Sequence, residues 1–172
     1  MKNIILSLVT FLIINFSSLS YNNVDGNSVS MSSYAGKKIM LVNIATNSDK
    51  VGQLAQLKQL QQQFADSLVI VLFPSNNFGH ENRTNAQIKT FCQTHYNFTF
   101  NIAATSNVTG STANAIYNWL SQSSQNGDMN AVIGGDYQKF VISKTGEIIG
   151  SYSPKISPMD AEIINVINTP YQ

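Results

Sequence analysis

Two short apolar runs, IMLVNI at Ile39–Ile44 and LVIVLF at Leu68–Phe73, constrain this chain more than any other feature. Each is too short for a typical helix and too uniformly apolar for a sheet with one wet face. Runs of this kind read as strands covered on both faces. Pro74 lacks a backbone donor and stops the second run. Between the two, Gln53 to Asp66 sets Leu54, Leu57, Leu60, Gln61 and Phe64 at spacings of three and four, with Gln, Lys and Asp elsewhere. That spacing predicts an amphipathic helix. Strand, helix, strand in this order is a crossover unit joining parallel strands. In open α/β sheets, ligands and chemistry gather just beyond the carboxyl ends of the strands. The expected site therefore begins at Ala45, Thr46, Asn47, Ser48 and Asp49.

The rest of the chain extends the pattern. Thr84 to Tyr96 predicts a helix with Thr84 as N-cap and Ile88, Phe91, Cys92 and His95 near one face. Phe98 to Ala104 fits a short strand, and Thr112 to Gln122 a helix presenting Ile116, Trp119 and Leu120. Asn126-Gly127 is a turn signal. Gln138–Ser143 and Glu147–Tyr152 flank Lys144-Thr145-Gly146, the layout of a hairpin. A last helix is expected from Ser157 as N-cap and Pro158 as first residue, with Ile163, Ile164 and Ile167 inward. The sum is an α/β, thioredoxin-like fold: a central mixed sheet flanked by helices.

The N-terminus reads as a separate object. Lys2, the apolar stretch Ile4–Phe16 and the small residues Ser17–Ser20 have the layout of a secretory signal peptide, assigned to residues 1–20 with a cut between Ser18 and Asn22. The expected product is exported, periplasmic or extracellular, with no membrane association after cleavage. Residues 21–33, rich in Asn, Ser and Gly, read as a flexible lead-in, and residues 34–172 as the folded domain. Three Asn-X-Thr triplets, at Asn82, Asn97 and Asn107, match the glycosylation pattern.

Charge and ligand chemistry exclude several classes. With 11% charged residues and a net charge of +1, no basic patch speaks for nucleic acid. Two His and one Cys at these spacings do not suggest a metal site. No glycine-rich phosphate loop is present. The lone cysteine, Cys92, rules out an intramolecular disulfide.

Five segments in order resemble the glutathione peroxidase family, spanning about Gly36 to Ile167. FPSNNFG at Phe73–Gly79 is similar to the family's FPCNQFG, and VNIATNSD at Val42–Asp49 to its VNVASKCG. KTFCQTHYNFTF at Lys89–Phe100 resembles the family's helix and following TF segment. YQKFV at Tyr137–Val141 resembles FTKFL, and SYSPKISP at Ser151–Pro158 resembles RYAPTTSP. The resemblance implies thiol-dependent reduction of peroxides in oxidative stress. A cysteine or selenocysteine attacks the peroxide, a Gln, a Trp and an Asn surround it, and glutathione or thioredoxin serves as reductant. It implies no bound cofactor.

This chain departs from that pattern at each of these positions. The peroxidatic residue aligns with Ser48, the Gln with Asn77, and the Trp-Asn pair with Gly135 and Asp136. A serine hydroxyl needs an adjacent base to ionise, and its oxygen has no counterpart of the sulfenic acid step. The residues therefore predict a pseudoenzyme that lacks the usual peroxidase activity and keeps the fold to bind a thiol reductant or another protein. The alternative is a weak single-cysteine peroxidase or redox sensor working through Cys92, which lies near the family's resolving cysteine; helix packing is the plainer role for it. A third reading makes Ser48 a hydrolytic nucleophile, with His80 or His95 as base and Asp49 or Asp136 as orienting acid.

Overall fold

The computed structural model describes residues 13–97 and 101–170. The start of the N-terminal apolar stretch and Phe98–Phe100 of the expected strand lie outside the described residues. In chain order the elements are β1 (Ser20–Asn22), β2 (Ser28–Ser30), β3 (Lys38–Ile44), α1 (Gln53–Gln63), β4 (Leu68–Pro74), α2 (Asn85–Tyr96), β5 (Asn101–Ile102), α3 (Ala115–Leu120), α4 (Ser123–Asn126), β6 (Lys139–Ile142), β7 (Ile148–Tyr152) and α5 (Ala161–Asn168).

The main sheet has the order β5-β4-β3-β6-β7. β3 pairs with β4 in parallel, Leu41 opposite Val71, and with β6 antiparallel, Leu41 opposite Phe140. Every residue of β3 and β4 is buried, as the uniform apolar runs predict. Alternating side chains feed two cores. Ile39, Leu41, Val69, Val71, Phe73 and Phe140 face α3 and the N-terminal segment. Met40, Val42, Ile44, Ile70, Leu72 and Val141 face α1, α2 and α5. β5 is short and leaves part of β4 without a strand partner. Gln61 of α1 fills that gap: its Oε1 accepts from Ile70 N at 2.8 Å and its Nε2 donates to Leu68 O at 2.7 Å. A buried polar side chain thus satisfies backbone groups that a longer strand would have paired.

Several expectations need correction. Residues 21–33 are not a flexible lead-in. β1 and β2 form an antiparallel hairpin around Gly26, whose φ is +84°. Tyr21 and Met31 are buried, and the Tyr21 hydroxyl meets that of Tyr34 at 2.7 Å. The polar composition belongs to the hairpin's outer face, while a few large side chains anchor the inner one. Residues 16–18 form a short 3-10 helix with Phe16 buried, so the folded region begins well before residue 34. α5 starts at Ala161 with Asp160 as its N-cap, later than expected. Ser157 Oγ instead accepts from Met159 N in the preceding turn. α2 matches its reading in its bounds and cap, where Thr84 and Gln87 complete a capping box, but only Ile88 and Cys92 of the expected face are buried and His95 is exposed.

Candidate functional site

The carboxyl end of β3 opens onto a cavity of about 680 Å³. Ser48, Phe78, His80, Gly135, Asp136 and Lys155 are among its lining residues. Three chain segments converge here, each tied down by hydrogen bonds to main-chain groups.

The turn after β3 is held by Glu81, which is 3% exposed. Its carboxylate accepts from Thr46 N and Thr46 Oγ1, both at 2.8 Å, and from Arg83 N at 3.0 Å. Asn47 N donates to His80 O at 3.1 Å, which fixes the His80 backbone beside this turn. The third segment, around Gly135, is sewn to Asn43. Asn43 Nδ2 donates to Gly135 O at 2.8 Å, and Tyr137 N donates to Asn43 O at 2.6 Å. Tyr137 has φ of +67°, an uncommon conformation for a bulky residue. Two contacts hold it: its buried hydroxyl donates to Ala45 O, and its carbonyl accepts from Lys139 Nζ at 2.7 Å. Lys139 is fully buried and also donates to Ile156 O; burial pulls its pKa down to about 8.

Ser48 is almost wholly buried in the cavity wall. Its Oγ accepts from Lys50 N at 3.3 Å and donates weakly to Asp49 Oδ1 at 3.4 Å. Asp49 is exposed, and its hydrogen bond to the Lys50 ammonium holds its pKa below the usual carboxylate value. Opposite, His80 Nδ1 meets Asp136 Oδ2 at 2.6 Å. The imidazole is half exposed, whereas the Asp136 side chain is 3% exposed. Asp136 Oδ1 has no hydrogen-bond partner among the described residues. A buried carboxylate on Nδ1 fixes the ring's orientation and leaves Nε2 as its other proton-carrying atom.

The structure brings together Ser48, Gly135 and Asp136, but not Asn77. Asn77 Oδ1 accepts from Ser75 Oγ at 2.9 Å and from Val108 N at 2.6 Å, and its Nδ2 donates to Asn107 Oδ1. The amide therefore braces the loop after β5 and does not line the cavity. Cys92 lies elsewhere, on α2, with no exposed surface, in the apolar core with Ile88 and Leu57. Burial and, secondarily, the Glu81 charge push its thiol up to about 12, so thiolate at neutral pH is negligible. His95 is also remote. It stacks on Phe91 at 4.5 Å on the outer face of α2, in a separate surface groove, and is no base for Ser48. The His80–Asp136 contact joins residues far apart in the chain, and the holding role of Glu81 carries no local sequence signal. Among the described residues no group of three or more His, Cys, Asp or Glu side chains could hold a metal ion.

Sheet order, crossovers and the site at the end of β3 define a thioredoxin-fold protein. A thioredoxin-family thiol:disulfide interchange protein from Chlorobium tepidum TLS shares this fold, with a TM-score of 0.63 at 18% identity over 91% of this chain and 97% of that one. The apo crystal structure of Trgpx aligns with a TM-score of 0.67 and 25% identity, over 92% and 99%. The family model for glutathione peroxidase matches residues 16–121. A glutathione peroxidase of Lactococcus lactis subsp. cremoris (strain MG1363) is 32% identical over 150 residues, 86% of this chain and 95% of its own. The chain belongs to the glutathione peroxidase family. Members of that family draw electrons from thiol reductants, not from a bound cofactor.

Proposed function

We propose that this protein has kept the family's fold and cavity but does not reduce peroxides by the family's thiol route, and acts instead by binding a small thiol or a segment of another protein at that cavity. The observation that carries this reading is the sulfur inventory. The position at the end of β3 holds the Ser48 hydroxyl, and the chain's one thiol is buried in the apolar core, away from the cavity. A peroxidase cycle needs a sulfur or selenium atom that can be oxidised and then reduced. The apolar leader is consistent with work outside the cytoplasm, periplasmic or extracellular, where such a ligand would be met.

Peroxide consumption by the purified protein, supplied with glutathione or with a thioredoxin system, should stay at background. Cys92 should remain unmodified by iodoacetamide in the folded protein and be alkylated after unfolding. Turnover that disappears in Cys92→Ser would overturn the reading and make Cys92 the reactive centre.

One contact favours a second reading, hydrolysis at Ser48. The 2.6 Å bond from His80 Nδ1 to buried Asp136 supplies a base with its orienting acid, on the same cavity as a serine hydroxyl. In this reading Ser48 Oγ attacks an ester carbonyl, His80 takes the hydroxyl proton and passes it to the leaving alcohol, and water then releases the acid. The hydrogen bonds of Ser48 Oγ go to Asp49 and Lys50, so His80 Nε2 would have to displace them. A fluorophosphonate probe should label Ser48 in the parent and lose that label in Ser48→Ala and in His80→Ala. No labelling of the parent removes the hydrolase and leaves the binding reading intact.

A further inference from the structure

We propose that residues from Ile14 onward are retained in the working protein as a plug that closes one flank of the core. Removal of the N-terminal leader would then end before Ile14, not between Ser18 and Asn22.

The plug is bonded along its length. Ile14 N donates to Gln125 O at 2.7 Å, and Ile14 O accepts from the indole Nε1 of Trp119 at 2.9 Å. Asn15 caps the short helical turn that follows, its side chain accepting from Ser17 N at 3.0 Å. Leu19 O accepts from Met31 N at 2.9 Å, and the next residue opens β1. Phe16 is 3% exposed, with its ring centroid 5.0 Å from that of Trp119. The seat fits this side chain. A Cβ at Gly146 would stand 3.3 Å from Phe16 Cβ, and Gly146 itself has φ of +100°, which favours glycine.

A cut after Ser18 removes Phe16 and the carbonyl that accepts from Trp119. Trp119 is 1% exposed, so its N–H would lose its partner inside the molecule while its ring lost its neighbour. Met31 and Ile39, which line one pocket with Phe16, would face the vacated space.

Two further observations agree. The match to the glutathione peroxidase family begins at residue 16, so Phe16 falls within the family's own domain. The apolar stretch also divides without remainder. Ile14 and Phe16 belong to the core, which leaves Ile4–Ile13, ten residues, ahead of the plug. The stretch reads as one run to Phe16 because export and core packing select the same residue types on either side of Ile13.

The test uses the full chain, expressed with its own N-terminus in an exporting bacterial host, with intact-mass measurement of the soluble protein. The expected N-terminus is Ile14 or any earlier residue, Met1 included. Soluble, cooperatively melting protein that starts anywhere from residue 15 to 22 would overturn the proposal; the same species found only in aggregates would support it. In parallel, Phe16→Asp in the full chain should lower the thermal midpoint by roughly 10 °C, and Phe16→Leu by much less. Should Phe16→Asp prove insoluble, Phe16→Ala gives the same reading with a smaller shift. A midpoint unchanged in either variant would count against the plug.

Discussion

Ser48→Cys should raise peroxide consumption at least about tenfold above the parent, a barrier change of about 1.4 kcal/mol or more. The substitution places a thiol at the end of β3, on the cavity wall, with Lys50 N already donating to the atom it replaces. As thiolate, the sulfur attacks one peroxide oxygen, the O–O bond breaks, and the departing oxygen takes a proton. The sulfur is left as sulfenic acid, and two reducing thiols return it through a mixed disulfide with loss of water. The rate should remain well short of an intact family site, for reasons visible in the structure. Asn77 spends its amide on Ser75 and Val108, and Gly135 offers no indole N–H. Asp49 adds negative charge beside the new thiol, which opposes ionisation. Sulfenic acid trapping with dimedone, read by mass, gives the chemistry independently of turnover. If the introduced thiol is alkylated readily yet stays unoxidised in millimolar peroxide, the cavity is not a peroxide site, and the alignment of Ser48 with the peroxidatic residue has no functional meaning.

The fold and half of the site were legible in the sequence, and the division follows physical lines. β3, β4, α1 and α2 announce themselves because their patterns are local: a run covered on both faces, a period near 3.6, an N-cap threonine. The place of Ser48 follows from where β3 ends. What the sequence hid depends on contacts distant along the chain. Nothing near Asp136 says that its carboxylate meets His80, and nothing near Glu81 says that it fills the turn after β3. Asn77 was misplaced for a different reason. Alignment preserves position but not side-chain direction, and the Asn77 amide is bonded to the backbone of Val108. The hairpin of β1 and β2 was misread because composition was averaged over residues whose inner and outer faces differ. Tyr21 and Met31 are buried in a stretch that is otherwise polar. The same averaging hides Phe16, which ends an apolar run in the sequence and packs against Trp119 in the fold.

Glu81→Ala should cost about 3 kcal/mol of stability, the largest loss expected from any change outside the apolar core. The substitution removes an acceptor from Thr46 N, Thr46 Oγ1 and Arg83 N at once, in a place that admits almost no water. It also leaves the Arg83 guanidinium, which donates to Thr46 Oγ1 and Asn47 Oδ1, without the buried carboxylate that shares Thr46 with it. Glu81→Gln keeps the shape and one oxygen and should cost about 1 kcal/mol. Urea denaturation measures the global term. Amide exchange separates the local one: Thr46 should lose protection in Glu81→Gln, while Leu41, inside β3 between two strands, keeps it. A Glu81→Ala protein within about 0.5 kcal/mol of the parent, with Thr46 still protected, would mean that the turn holds itself. The expected result locates the site's rigidity in side chains that never touch a ligand. Ser48 keeps its position because Glu81 and Asn47 fix the turn on one side, and Asn43 and Lys139 fix the Asp136 loop on the other. The frame of the cavity therefore does not depend on which side chain stands at position 48, because the bonds made by Glu81, Asn43 and Lys139 do not involve it.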